Sequence, residues 1–189
     1  MCNHAVGLSK YRDAPPPLAG LLPFRDRSTL YAMPEIVLLC GLPGSGKSTW
    51  AAARALRGAM VFNSDQWMLR LYGPHMSREV FDARLAACFG LICEQTNRLT
   101  ALGIDVVIDG VGWKREQRRL VVERLAVSGA ALSLLWFDVP PDELRRRLVR
   151  RNAALPPDTF EITDAMLTEF AGWFEPPTEA EGLRVVRVG

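Results

Sequence analysis

The stretch "GLPGSGKST", residues 41–49, constrains this chain more than any other. It reads Gly41, four residues, then Gly46-Lys47-Ser48, the G-x-x-x-x-G-K-S spacing of a loop that cradles phosphates. Glycines let the backbone take positive φ and approach a ligand closely. Successive N–H groups then form a concave nest, closed by the positive end of the following helix. Such a nest suits a nucleoside triphosphate. Gly41, Gly44, Ser45, Gly46, Lys47, Ser48 and Thr49 would line it, with Lys47 reaching the β- and γ-phosphates and the Ser48 hydroxyl ligating Mg²⁺. The motif needs a strand before it and a helix after it. "EIVLLC" is a buried-strand pattern and "KSTWAAARAL" is rich in helix formers. A plain Gly/Ser turn between strand and helix is the competing reading, and the agreement of motif, strand and helix outweighs it.

The rest of the chain alternates in the same way. "AMVFNSD" reads as a short strand ending at Asp65, followed by a helix over 66–72 that Gly73-Pro74 breaks. "SREVFDARLAACFGLICEQTNRLTALG" is a long amphipathic helix ending at Gly103, and "DVVIDGV" a third strand. "KREQRRLVVERLAVSG" is a helix stopped by Gly129, and "ALSLLWFDV" a strand broken by Pro140-Pro141. "PDELRRRLVRRN" opens as a helix with acidic residues in its first turn. A polar loop, "AALPPDTFE", then a helix, "ITDAMLTEFAGWF", and a last strand, "LRVVRV", complete the pattern. Strands alternating with helices mean an α/β fold with a parallel sheet covered on both faces.

At 189 residues the chain has the size of one domain, able to bury roughly 70% of its unfolded surface. Residues 33–189 carry the alternation as a single domain, whereas residues 1–32, with Pro15-Pro16-Pro17 and no sustained period, read as an irregular arm. A net charge of +2 is too mild to argue for a nucleic-acid partner. No secretory segment or membrane-length apolar run occurs, and Cys2, Cys40, Cys88 and Cys93 show no metal spacing. The expectation is a reduced, cytoplasmic protein with no membrane partner. His4 in the arm and His75 beside the Gly-Pro turn have no catalytic context.

Ligands of open α/β sheets bind outside the carboxyl ends of the strands. Gly41, Asp65, Asp109 and the loop after Asp138 all fall at such ends. That convergence points to an active site and not merely a nucleotide holder.

The blocks "GLPGSGKST", "NSDQW", "VVIDGVGWKREQRR", "DVPPDELRRRLVRRN" and "FEPPTEAEG" together resemble the small P-loop kinases of the zeta-toxin-like and polynucleotide-kinase-like group, with an AAA-type ATP-binding domain. They run from about residue 35 to 182, in the family's order. The resemblance implies a three-layer αβα sandwich of the P-loop NTPase kind, with a five-stranded parallel sheet in the order 2-3-1-4-5. It also implies ATP with Mg²⁺ and phosphoryl transfer to a hydroxyl. Asp65 matches the family's catalytic carboxylate, which accepts the proton of the attacking hydroxyl; the residue-level alternative is a helix cap, a duty Ser64 would share. Asp109 matches the carboxylate that supports Mg²⁺ through water. "DGVG" also fits the D-x-x-G of GTPases, but no N-K-x-D for guanine selection occurs.

Arg147 and Arg151, four apart and so on one helical face, match the family's lid arginines over the transferring phosphates. Their neighbours Arg145, Arg146 and Arg150 read as a solvated face. Trp113, beside Lys114 and Arg115, is a candidate acceptor-side group that would stack on a ring and hold an anion; a helix start with solvated charges is the equal alternative. Trp67 reads as core more than as pocket wall, and Trp50, Trp136 and Trp173 as core. Polynucleotide 5′-kinases of this group place an arginine three residues after the base. Here that residue is Met68, and the next arginine is Arg70, which with Arg115 is left to take the role.

The sequence therefore reads as an ATP-dependent phosphotransferase acting on a hydroxyl-bearing small molecule. A polynucleotide 5′-hydroxyl kinase is the second reading, and an NTPase switch acting on a protein partner the third.

Overall fold

A computed structural model describes residues 33–156 and 159–189. The expected arm, residues 1–32, lies outside the described residues together with Cys2 and His4.

The first strand, β1 (Glu35–Cys40), is buried from Ile36 to Cys40, as a central strand of a parallel sheet must be. It pairs in parallel with β3 (Val106–Asp109) on one side and β4 (Ala131–Phe137) on the other. Outside these lie β2 (Met60–Asn63) and β5 (Arg184–Val188), so the sheet order is β2-β3-β1-β4-β5. This is the order the resemblance implies.

Side chains alternate across a strand, and β1 shows it. Ile36, Leu38 and Cys40 join Phe62, Val121 and Leu125 with Ile92 and Cys93 in one apolar cluster. Val37 and Leu39 join Trp50, Ala51 and Val107 in a separate one. The first cluster is closed by the helices α3 (Arg78–Ala101) and α4 (Arg115–Leu125), and the second by α1 (Lys47–Ala55). The result is helix, sheet, helix. The helix α2 (Ser64–Tyr72) packs on α3. A third cluster of Leu144, Leu148, Ile162 and Leu167 joins α5 (Pro141–Ala153) to α6 (Asp164–Trp173). Trp67 meets Phe62 edge-on at 5.6 Å and belongs to the core.

Several element ends differ from expectation, three of them for a plain local reason. The second strand stops at Asn63, not Asp65, because the Asn63 side chain accepts the Gln66 N–H at 2.9 Å and starts the helix at Ser64. Asp65 thus stands on the first turn of α2 and is not its cap. The third strand ends at Asp109, where Gly110 takes φ 94. The helix after Trp113 ends at Leu125 and tightens into a 3-10 turn, Ala126–Ser128, before Gly129.

Four parallel strands deliver their carboxyl ends to one edge, bringing together the loops that follow Cys40, Asn63, Asp109 and Phe137. Among the described residues, no helix is long and apolar enough to cross a membrane.

Candidate active site

The loop after β1 turns at Gly41 with φ 144, where a Cβ would stand 2.7 Å from the Phe137 carbonyl oxygen. Only glycine passes there. The loop ends at Gly46, which caps α1 with no side-chain hydrogen bond to the helix. The first N–H groups of α1 are therefore offered to a ligand, and the helix dipole favours an anion. Ser45, buried at 4% exposure, keeps its Oγ without a hydrogen-bond partner among the described residues. Ser48 and Thr49 face solvent. An uncapped helix start, a nest and an orphaned hydroxyl fit a polyphosphate.

Lys47 folds over this loop. Its Nζ donates to the carbonyls of Gly41 at 2.8 Å and Leu42 at 3.0 Å. Burial lowers its pKa, while the charges of Asp109 and Asp65 oppose the shift. Asp109 ends β3 and Asp65 follows β2, the two strands on that side of β1 in the sheet.

Asp109 is buried at 3% exposure. Its Oδ2 accepts from Ser48 Oγ at 3.3 Å and from Asn63 Nδ2 at 3.1 Å. No group of three or more His, Cys, Asp or Glu side chains able to hold a metal occurs among the described residues. Mg²⁺ in a phosphate-binding site keeps several waters and takes only one or two protein oxygens beside the phosphates. Ser48 and Asp109, both hard oxygen donors, fit it.

Asp65 keeps access to water, yet the cleft crowds its carboxyl. Desolvation pushes its pKa up to about 6, Asp109 adds to the rise and Lys47 opposes it. A carboxyl pKa raised toward the working pH, on the helix turn that follows β2, is the property a general base needs.

Arg147 lies across the phosphate loop. Its Nη1 donates to the carbonyl of Ser45 at 3.3 Å and approaches that of Gly44 at 3.5 Å, while Nε is held by Glu143 Oε1 at 2.6 Å. Arg151 is half-buried; Nη2 donates to the Phe160 carbonyl at 3.2 Å, and Nε has no hydrogen-bond partner among the described residues. Arg145 and Arg146 pair with acidic neighbours on the exposed face, as expected.

The acceptor-side residues are less gathered. The Trp113 ring meets that of Phe170 at a tilt, centroids 5.0 Å apart, and Phe170 in turn lies 5.6 Å from Trp173. The Arg115 backbone N–H donates to Glu175 at 2.7 Å, and its exposed guanidinium lies 3.8 Å from Glu181. Arg70 is exposed in the last turn of α2, roughly 140° around the helix from Asp65 at 3.6 residues per turn. It does not share the face of the proposed base. Met68 is fully buried, with its sulfur 4.0 Å from that of Cys88.

Three residues here carry structure that sequence reasoning missed. Asn63 bonds Asp109, Glu143 holds Arg147, and Arg118 is wholly buried with its guanidinium on Glu181. Asn63 alone had a local signal, a cap-forming type three residues before Gln66.

Residues 36–177 match a family model described as an AAA domain. No curated protein sequence matches the chain. A putative kinase from Chloroflexus aurantiacus j-10-fl is similar with a TM-score of 0.64 at 16% identity, over 83% of this chain and 88% of that one. A chain of the Pnkp1/Rnl/Hen1 RNA repair complex gives 0.61 at 22% identity, over 79% of this chain and 46% of that one, so the present chain spans under half of its length. A gluconokinase from Sinorhizobium meliloti 1021 gives 0.57 at 19% identity, over 84% and 85%. At such identities the likeness is one of fold, and the fold is that of the small P-loop kinases.

Proposed function

The chain belongs to the AAA domain family, and on that premise we propose that it is a kinase moving the γ-phosphoryl of ATP to a hydroxyl of a small-molecule acceptor. The observation that carries this reading is the phosphate loop tied to the neighbouring strand end: Lys47 lies on the loop carbonyls of Gly41 and Leu42, and the Ser48 hydroxyl at the uncapped start of α1 donates to Asp109.

The loop over residues 41–49 would hold the triphosphate through backbone N–H groups. Ser48 and Asp109 would hold Mg²⁺, which when bound neutralises charge on the β- and γ-phosphate oxygens. Asp65 takes the proton of the acceptor hydroxyl as its oxygen bonds to phosphorus and the bond from phosphorus to the ADP oxygen breaks. Lys47, Arg147 and Arg151 stabilise charge spread over the moving phosphoryl, in a site where fixed cations need no reorganisation. Lys47 and Arg147 already lie on the loop.

A small acceptor is favoured over a polynucleotide. Met68, where an arginine would grip a strand's phosphate, is turned into the core, and basic residues do not alternate with aromatics in a long track. The pair Trp113 and Arg115 would serve a ring-bearing or anionic acceptor. The three described cysteines are free and buried, which accords with a cytoplasmic location.

The test supplies γ-labelled ATP and Mg²⁺ with nucleosides, sugar nucleotides, hydroxylated antibiotics and 5′-hydroxyl oligonucleotides. Label on a small alcohol supports the proposal. Label on oligonucleotides alone moves the acceptor to nucleic acid, and label released only as phosphate, whatever the alcohol, favours an NTPase switch.

A further inference from the structure

The end of β2 and the end of β3 are in register, with Asn63 opposite Asp109. Asn63 uses both ends of its amide there. Nδ2 donates to Asp109 Oδ2 at 3.1 Å, and Oδ1 accepts the Gln66 N–H at 2.9 Å, capping the helix that bears Asp65. One side chain thus touches the carboxylate at the end of one strand and sets the first turn carrying the carboxylate of the other.

The corner around it has no room to drift. Ser64 is fully buried, and a Cβ at Gly110 would lie 2.1 Å from Ser64 Oγ. The residue after Asn63 and the residue after Asp109 therefore interlock.

We infer that Asn63 is a positioning residue, holding the Asp109 carboxylate for a hydrated divalent cation while fixing the turn that presents Asp65. The inference rests on the kinase reading above. Two donors meet on Asp109 Oδ2, Ser48 at 3.3 Å and Asn63. On that reading the Ser48 hydroxyl serves the cation, which leaves Asn63 as the remaining tether of Asp109. Asparagine suits both duties because it carries donor and acceptor on one short amide. Serine and threonine also cap helices but have no amide to reach Asp109, so they separate the two duties.

The test measures ADP affinity by titration calorimetry, with EDTA and across a Mg²⁺ series, for wild type, Asn63→Ser and Asn63→Thr. Thermal midpoints are recorded alongside. The expected result is unchanged ADP affinity in EDTA, a midpoint within a few degrees of wild type, and roughly tenfold more Mg²⁺ needed for half of the Mg²⁺-dependent gain, the size of an outer-shell loss. A wild-type Mg²⁺ response in a folded Asn63→Ser or Asn63→Thr protein overturns the role of Asn63 alone. A wild-type protein whose ADP affinity ignores Mg²⁺ overturns the metal reading itself, and this inference with it.

Discussion

The Arg118 guanidinium, wholly buried in α4, grips the Glu181 carboxylate through Nε at 2.6 Å and Nη2 at 2.8 Å. Its Nη1 also donates to the carbonyls of Gly112 at 2.9 Å and Glu175 at 2.8 Å. This one side chain ties the segment after α6 to the loop that leads from Asp109 to Trp113.

Removing one partner of a buried ion pair leaves the other charged and unpaired, which costs about 3–5 kcal/mol. Arg118→Met is expected to lose roughly that much in urea unfolding, and Arg118→Met with Glu181→Leu to recover part of it. The hydrogen bond from Arg118 holds the Glu181 carboxyl below its ordinary value of 4.5. A lowered folded pKa contributes stability present above 4.5 and lost as pH falls through the folded value. Acid should therefore erode wild-type stability more steeply than that of Arg118→Met. Equal slopes would contradict the assignment.

Asp65 works in the opposite sense. Its pKa rises from 3.8 to about 6 on folding, so the folded protein binds this proton more tightly than the unfolded chain does. At neutral pH the ionised carboxylate then opposes folding, and the penalty is relieved as pH falls from about 6 to about 4. Asp65→Asn is expected to raise the thermal midpoint at neutral pH, with the gap closing below about pH 4. A less stable variant at neutral pH would show that Asp65 is a structural residue.

Transfer should depend on the same group. The base must be ionised, so kcat/KM is expected to fall with decreasing pH through an apparent value near 6. A rate flat from pH 5 to 8 would remove Asp65 from the base role.

Lys47→Ala should weaken ATP binding roughly ten- to hundredfold, the range of one charge-assisted contact, as read by titration calorimetry. Arg147→Ala should leave ATP affinity nearly unchanged and lower kcat by about 10²–10³, as removal of one preorganised charge at a transition state does. Equal effects of both substitutions on ATP affinity would place Arg147 in ground-state binding instead.

Much of this architecture is legible in the sequence because the chain punctuates itself. Gly73 caps α2, Gly103 and Gly129 follow within a few residues of the ends of α3 and α4, Pro140 precedes the start of α5, and the phosphate loop names its own neighbours. What was not legible depends on distant partners. The run "GWKREQRR" offers several arginines, and nothing local marks Arg118 as the buried one; its partner is 63 residues away. The apolar pattern carries a strand through Asn63 to Asp65, whereas the Asn63 side chain starts a helix. In one dimension Arg70 is a substitute phosphate grip, but helical geometry turns it from the face of Asp65.

The central claim is that Asp65 accepts the proton of an attacking hydroxyl, and its most direct test is the single-turnover transfer rate of Asp65→Asn with the alcohol that wild type phosphorylates. The amide is nearly isosteric and cannot take that proton, so ATP binding should stay within a few-fold of wild type while transfer falls about 10²–10⁴-fold. Transfer at the wild-type rate in a variant that binds ATP normally would contradict the account.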